Sequence, residues 1–325
     1  MSRISRRQLF LAAGAALLAP VVEAQERKRV AVVSPTSADT SKFLFDALLN
    51  QMSKYGWQEG INIEYMMRFA AGDKTKLDAY AAEVVASKPA LILASSPPAV
   101  IAARKHTSSI PIIFSTVYDP VDAGFVASLA RPGGNVTGMT TRVEGLWGRR
   151  LQLLREALPS LTRVGVMYDP TDGEDKLTFS QLSAAGRELS VLVLAFHVQQ
   201  PEDISPSFSK MRTTKVDAAL VGGSTVGFVH RKIAADAALA HRMPAFGVTE
   251  DRVQAGFLMS YGIDLVAQFR QTARYADRVL RGTPPADLPV ERPNTFRLTI
   301  NLKTAKALGI TVPKSILLRA DRVIE

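Results

Sequence analysis

Cysteine is absent from this chain of 325 residues. Its absence excludes disulfide bonds, thiol catalysis and attachment of a lipid to a cysteine. Histidine is scarce, and no histidine has the spacing of a metal site such as H-E-x-x-H. The four histidines are His106, His197, His230 and His241. The chain also has no G-x-S-x-G nucleophile elbow and no phosphate-binding glycine loop. We therefore predict that the protein is not an enzyme and needs neither a metal nor another cofactor.

Apolar runs long enough to cross a membrane, which takes about 20 residues, are also lacking. The apolar stretch at residues 10–22 is shorter than this. It follows the pair Arg6-Arg7 and precedes the small-residue site Val22-Glu23-Ala24. That order is typical of a secretory signal peptide. We predict a signal peptide over residues 1–24, cleaved after Ala24, which resembles a twin-arginine export signal. Sec export is the open alternative. Without a cysteine for a lipid anchor, the exported protein would be free in a bacterial periplasm.

Positive charge exceeds negative charge along the chain, with a formal net charge of +10. Three positive charges and one negative charge leave with the predicted signal peptide, so about +8 remains. A basic protein can bind nucleic acid. Here, however, the basic residues are scattered among acidic ones, and the row at 270, 274, 278 and 281 has the spacing of a solvated helix face. We expect no nucleic-acid partner.

Strand-like and helix-like segments alternate along the chain, which indicates βαβ units around a parallel sheet. In the first half, strands are predicted at 30–33, 61–65, 90–94 and 110–114, and helices at 43–54, 77–86, 97–105 and 123–129. The pattern restarts with helices at 146–158, 177–189, 204–211 and 229–241, and strands at 164–168, 191–196, 218–221, 245–248 and 257–261. A long amphipathic helix at 265–280, a strand at 296–300 and a helix at 302–308 follow. Because the chain exceeds the usual size of one core, we predict an α/β fold with two doubly wound parallel-sheet lobes.

Hydroxyl side chains follow three predicted strands of the first half, and ligands of α/β sheets bind at the carboxyl ends of strands. These loops contain Ser34, Thr36 and Ser37, then Ser95, Ser96 and Pro97, then Ser115, Thr116 and Asp119. Two of the loops lead into helices, so a solute carboxylate is the expected guest at the Ser95-Ser96 helix start. Any one of these serines can instead simply cap its helix. Asp119 can accept hydrogen bonds from a ligand ammonium or stabilise its own Asp-Pro turn.

The second half offers a smaller set of candidates, namely Tyr168, Ser224, Thr225 and Tyr261. The two tyrosines would suit stacking on a flat or apolar solute, with one hydroxyl each for a hydrogen bond. The alternative for each is an ordinary tyrosine at a strand end with its hydroxyl in water. All of these residues are predicted to bind ligand across a cleft between the lobes.

Residues 119–138 read DPVDAGFVASLARPGGNVTG. This string resembles the pattern DPV-x-x-G-x-V-x-S-L-A-R-P-G-G-N-x-T-G of the ABC-transporter substrate-binding protein family. The resemblance extends to 55–63, 151–170, 255–262 and 288–309. Relatives commonly carry Asn-Pro where this chain has Asp169-Pro170, and the added negative charge would change what the second lobe prefers.

The resemblance implies the type I periplasmic binding protein fold, with a hinge of three crossings near 139–145, 261–264 and 283–294. The first lobe would span 28–140 plus about 262–284, and the second about 141–261 plus 285–325. The family implies a monomeric periplasmic component of an ABC importer. It would bind a small solute and deliver it by hinge closure to a membrane permease with its ATPase. The family does not fix the solute, and we favour an amino acid or similar carboxylate. Three alternatives remain: a sensing subunit for a signalling receptor, a periplasmic α/β enzyme, and a DNA-binding regulator, which would need a helix-turn-helix where the leader stands.

Overall fold

A computed structural model of the protein describes residues 27–170 and 173–325. The signal peptide predicted at 1–24 lies outside these residues. Five parallel strands form the first sheet, in the order β2-β1-β3-β4-β5. They are β1 (Lys28–Ser34), β2 (Ile63–Phe69), β3 (Leu91–Ala94), β4 (Ile112–Val117) and β5 (Val136–Thr140). The helices between them are α1 (Ala38–Lys54), α2 (Lys74–Ala86) and α3 (Pro97–His106).

Seven strands form the second sheet, in the order β12-β11-β10-β9-β8-β6-β7. They are β6 (Arg163–Tyr168), β7 (Leu192–His197), β8 (Ala218–Val221), β9 (Ala245–Gly247), β10 (Met259–Ile263), β11 (Phe296–Asn301) and β12 (Arg322–Ile324). The accompanying helices are α4 (Leu146–Ala157), α5 (Gly173–Glu188), α6 (Ile204–Thr213), α7 (Thr225–Val229), α8 (Arg231–Ala240), α9 (Glu250–Ala255), α10 (Leu265–Leu280), α11 (Leu302–Leu308) and α12 (Lys314–Leu317).

The predicted α/β fold with two parallel-dominated sheets is confirmed. Helices cover both faces of each sheet, and buried side chains form one apolar cluster on each face. This explains why the strands read as continuous apolar runs, since a parallel sheet is covered on both sides. One pair departs from the prediction, because β11 runs antiparallel to β10.

Helix α10 belongs by contact to the first sheet, although it follows a strand of the second. Its apolar face, including Phe269 and Tyr275, packs with α1, β1 and β3 in one buried cluster. The Asp264 side chain starts the helix by accepting a hydrogen bond from the Ala267 N–H at 3.0 Å. We call the first sheet with α1–α3 and α10 the first lobe, and the second sheet with its remaining helices the second lobe.

Two helix predictions differ from the structure. The helix at 123–129 is wrong, because residues 120–135 form turns and bends. There the Asp119 carboxylate binds the N–H groups of Val121 and Asp122, and Gly124 adopts a left-handed φ of +66°, which an α-helix does not contain. The helix at 229–241 is two helices, α7 and α8, with His230 between them at ψ 24°.

Three links connect the lobes in the described part of the chain. They run from β5 to α4, from β10 to α10, and from α10 to β11. The last link first packs on the first sheet, where the Glu291 N–H donates to the Gly138 carbonyl at 3.1 Å. Among residues 27–170 and 173–325, no helix combines the length and the apolar character needed to cross a membrane.

Candidate functional site

A cavity of about 810 Å³ lies between the two lobes, at the carboxyl ends of their parallel strands. Residues from both lobes line it. Most of the predicted site residues are among them: Ser34, Thr36, Ser95, Ser96, Pro97, Thr116, Asp119, Ser224 and Thr225. Their common position follows from the parallel sheets, which bring the ends of strands from distant parts of the chain to one edge.

Four predicted site residues do not line this cavity. Ser37 caps α1, where its hydroxyl accepts a hydrogen bond from the Thr40 N–H at 3.2 Å. Ser115 is 1 % exposed. Tyr168 packs its ring against Phe179 and His197. Tyr261 packs near Phe296 in the second sheet. Ser37 thus has the capping role that the sequence left open, Ser115 is buried, and the two tyrosine rings pack on neighbouring side chains.

A chain of hydroxyl groups forms the first-lobe wall. Hydrogen bonds link Ser95 to Ser34 at 2.9 Å, Ser34 to Thr36 at 2.8 Å and Thr36 to Ser41 at 2.9 Å. The Ser41 hydroxyl then donates to the Ser37 carbonyl at 2.9 Å. A carbonyl can only accept, and each hydroxyl has one proton. The proton of every hydroxyl in the chain therefore points away from Ser95 and towards the Ser37 carbonyl.

The direction of these hydrogen bonds determines whether the wall presents hydrogen-bond donors or acceptors to a ligand. The Ser95 hydroxyl donates its proton to Ser34 and the Thr36 hydroxyl donates its proton to Ser41. Towards the cavity, these two hydroxyls can therefore only accept hydrogen bonds. Thr116 does the same, because its hydroxyl donates to the Ser95 carbonyl at 2.6 Å. In the described residues the buried Ser96 hydroxyl has no hydrogen-bond partner, and it keeps a proton to donate. The wall is thus dominated by acceptors, which suit an ammonium or another N–H group.

The start of α3 is poorly suited to the carboxylate that the sequence predicted there. Its first two residues, Pro97 and Pro98, have no N–H group. The Val100 N–H already donates to the Ser96 carbonyl at 3.1 Å. Of the four N–H groups that normally make a helix start attractive to anions, the two prolines remove two, so only those of Ser96 and Ala99 are left. This helix start therefore offers an anion fewer N–H groups than most helix starts do.

Asp119 is committed to its own loop. One carboxylate oxygen accepts from the N–H groups of Val121 and Asp122 at 3.2 and 3.1 Å. The other oxygen forms an ion pair with Arg142. These contacts are those of the Asp-Pro turn, the second of the two roles that the sequence allowed.

Two buried arginines line the cavity from the second lobe, and the sequence prediction missed both. Arg150 is 5 % exposed and Arg252 is 2 % exposed. Each arginine side chain lies against a strand glycine. A Cβ at Gly262 would lie 2.9 Å from the Arg150 Nη2, and one at Gly247 would lie 2.8 Å from the Arg252 Cδ. The glycines therefore make room for two arginine side chains at the cavity wall, and Arg252 is ion-paired there with the buried Asp251.

The sequence did contain a signal for these arginines. On α4, Arg150 falls on the same helical stripe as Trp147, Leu151 and Leu154, which are all buried. An arginine on an apolar stripe is unusual, since arginine is rarely buried without a partner or a function. Arg252 lies in the short helix α9, close after the carboxyl end of β9, where a site residue is expected.

Aromatic side chains form the apolar part of the cavity. Phe45 and Phe269 from the first lobe meet edge to face, with ring centroids 5.4 Å apart. Phe228 and Trp147 line the cavity from the second lobe. The Arg150 guanidinium lies over the Trp147 ring, 4.1 Å from its centroid. Aromatic and aliphatic walls with a few fixed polar groups are typical of small-molecule sites.

Charged groups at the rim are paired with each other. Asp78 accepts a hydrogen bond from Lys105 at 2.9 Å, and this bond is the main reason why the pKa of Asp78 lies below its usual value. The nearby His106 lowers the pKa of Asp78 further. Within the described residues, no cluster of three histidine or acidic side chains could hold a metal ion.

Two lobes enclosing a polar and aromatic cavity at the strand ends define a small-molecule binding protein. The chain belongs to the ABC transporter substrate binding protein family, whose model matches residues 29–324. This confirms the family resemblance that the sequence motif indicated. The family is one of solute-binding proteins rather than enzymes.

Individual relatives cover nearly the whole chain. A tyrosine-binding protein of Clostridioides difficile (strain R20291) is 27% identical over 291 residues, which is 89% of this chain and 83% of the relative. The crystal structure of a conserved domain protein from Vibrio cholerae matches with a TM-score of 0.86 and 26% identity, over 92% of this chain and 100% of that one. A Streptococcus pneumoniae ABC domain in complex with L-Trp matches with the same TM-score and coverages at 24% identity, which shows a common fold.

Proposed function

We propose that this protein is the periplasmic solute-binding component of an ABC importer and that its solute is an amino acid with a large apolar or aromatic side chain. One observation carries the choice of an amino acid: a wall of hydrogen-bond acceptors faces a wall with two buried arginines across an aromatic cavity. An amino acid has a cationic end, an anionic end and a side chain, and each has a matching wall.

The solute's ammonium group lies against the first lobe, where the lone pairs of Thr36, Ser95 and Thr116 face the cavity. Its carboxylate lies towards the second lobe. There Arg150 and Arg252 line the cavity, and the one carboxylate of Asp251 is shared between Arg252 and Arg231, so positive charge is in excess. The protein thereby holds the two ends of one molecule from opposite lobes. A solute that contacts both lobes stabilises their closed arrangement, because those contacts exist together only when the cleft is closed.

The solute's side chain occupies the aromatic part of the cavity, near Phe45, Phe228 and Phe269. Rings at this position favour an apolar or aromatic group through burial and edge-to-face contact. The tyrosine-binding relative of Clostridioides difficile supports a solute of this kind. Delivery follows when the closed protein binds a membrane permease, whose partner ATPase drives transport.

Native mass spectrometry of protein purified from its periplasm, followed by a thermal-shift panel, tests this proposal. We expect a retained mass of an amino acid and a rise in melting temperature with aromatic and branched amino acids, because ligand that binds only the folded state stabilises it. Small-angle scattering should show compaction on binding. A panel in which sugars raise the melting temperature and amino acids do not would refute the assignment, and binding without compaction would refute hinge closure.

We also propose export with cleavage after Ala24, so that the mature protein begins at Gln25. N-terminal sequencing of the periplasmic protein should start there, since the Val22-Glu23-Ala24 site suits signal peptidase. Replacing Arg6 and Arg7 together with lysine should abolish export if the pathway is twin-arginine. The single replacement Arg3→Lys outside the pair serves as the control. Normal export of the double variant would assign the protein to the Sec pathway.

A further inference from the structure

Polar contacts between the lobes are also found outside the ligand-binding walls. At the start of α1 in the first lobe, the Thr40 carbonyl accepts a hydrogen bond from Arg231 Nη2 at 3.2 Å. Arg231 begins α8 in the second lobe. Its guanidinium binds in two other directions, with Nη1 donating to the Phe228 carbonyl at 2.8 Å and Nε lying 3.3 Å from Asp251 Oδ2. One planar guanidinium thus binds two backbone carbonyls and one carboxylate. Of these, the Thr40 carbonyl lies in the first lobe and the other two groups lie in the second.

An apolar contact accompanies this polar one. Phe228, on α7 of the second lobe, packs against the first-lobe cluster that contains Leu44, Phe45 and Phe269. The Arg231 guanidinium lies over the Phe228 ring, 4.9 Å from its centroid, which is within the range of a cation–π contact. This contact therefore positions both the Phe228 ring and the Arg231 guanidinium at the boundary between the lobes.

The same arginine is connected to the cavity wall. Asp251 is 6 % exposed and accepts a hydrogen bond from the Thr249 hydroxyl at 2.6 Å. Arg252 Nη1 lies 3.4 Å from the second Asp251 oxygen. Thr249 and Arg252 both line the cavity. A buried network therefore runs from the cavity wall through Asp251 and Arg231 to the Thr40 carbonyl of the other lobe.

We propose that Arg231 and Phe228 form a clamp that holds the two lobes closed, with Arg231 acting as a positioning residue that couples the cavity wall to closure. Opening the cleft breaks the Arg231–Thr40 hydrogen bond and exposes the Phe228 ring, while the bonds of Arg231 within the second lobe stay intact. The clamp acts on the solute-free protein as well, so it sets how long the cleft stays closed. When a solute is bound, it slows release.

Single-molecule fluorescence transfer measures closure without needing a known solute. The chain has no cysteine of its own, so Asn50→Cys on α1 and Ser209→Cys on α6 provide two exposed labelling sites, one in each lobe. In Arg231→Met the closed-state dwell time should fall roughly tenfold, the effect of losing one hydrogen bond to a charged group. Arg231→Lys, which keeps the charge next to Asp251, should fall between this variant and the parent.

The matched control is Lys232→Met, the next residue of α8, which is exposed and pairs only with Asp236 in the described structure. Its dwell time should equal that of the parent. A second hydrogen bond between the lobes provides an independent variant. The Tyr118 hydroxyl of the first lobe donates to the Gln181 side-chain oxygen of the second at 3.1 Å. Gln181→Leu should shorten the closed-state dwell time while leaving the Arg231 network intact.

Equal dwell times in Arg231→Met, Arg231→Lys and the parent would overturn the clamp. A parent protein that never visits the closed state without solute would overturn it too. Circular dichroism shows whether each variant is folded. If Arg231→Met does not fold, the comparison of Arg231→Lys with the parent tests the clamp. Failure of every amino acid to bind would refute the proposed function but would leave these dwell times readable.

Discussion

Removing the amino group of the solute should lower its affinity by about 100-fold or more, because a buried site built to bind an N–H group leaves its own polar atoms unpaired when that group is missing. Here three acceptors, on Thr36, Ser95 and Thr116, would lose their donor. Isothermal titration with L-tyrosine and with 3-(4-hydroxyphenyl)propionate, which lacks only the amine, measures the difference. Equal affinities would show that the first-lobe wall does not bind an ammonium.

A substitution at Thr116 tests whether the first-lobe wall is responsible for this loss of affinity. Thr116→Val keeps the shape of the side chain and removes its lone pairs, so affinity for L-tyrosine should fall about tenfold while that for the des-amino analogue stays unchanged. Ser37→Ala is the control, since Ser37 is outside the cavity and caps α1. It should cost about 1 kcal/mol of folding free energy and leave both affinities unchanged. Loss of affinity for both ligands in Thr116→Val would indicate a general disturbance of the site.

Replacing Gly262 with alanine should destabilise the second lobe by about 3 kcal/mol or more, the upper range for overpacking a filled interior. A Cβ at this position would lie 1.8 Å from the Val248 carbonyl oxygen and 2.9 Å from Arg150 Nη2. The first neighbour is backbone next to β9 and cannot turn aside, so the strands must separate. Chemical denaturation of the ligand-free protein measures the loss.

Gly134→Ala is the matched control, since nothing lies within 4 Å of a Cβ built there and its φ is not left-handed. Its free energy of unfolding should change by less than about 0.5 kcal/mol. In Gly262→Ala, the remaining folded protein should also bind solute more weakly, because Arg150 is displaced. Unfolding curves that coincide for Gly262→Ala and the parent would mean that the strands do not approach as closely as described.

Much of the site could be placed from the sequence because strand ends are predictable. The apolar runs before Ser34, Ser95 and Thr116 indicated parallel strands, and the carboxyl ends of parallel strands share one edge. The prolines at 97 and 98 were also visible, and they already argued against a carboxylate at the start of α3.

Other parts of the site depend on contacts that the sequence does not reveal. The prediction of a helix at 123–129 is wrong because it relied on apolar composition. In the structure, the Asp119 turn and the left-handed Gly124 set the backbone there instead. Tyr168 and Tyr261 stand at or near strand ends as predicted, but their rings pack on neighbours instead of lining the cavity. Which way a side chain points at a strand end is set by the layer packed against it.

The sequence by itself determined the alternation of strands and helices, the two-lobe α/β class and the family, because periodicity and a twenty-residue motif depend only on neighbours in the chain. Only the tertiary structure decided the chemistry of the walls. The Ser95–Ser34 bond joins residues 61 positions apart, and the Arg231–Thr40 bond joins residues 191 apart. Bonds over such separations exist only once the sheets have formed and the lobes have met.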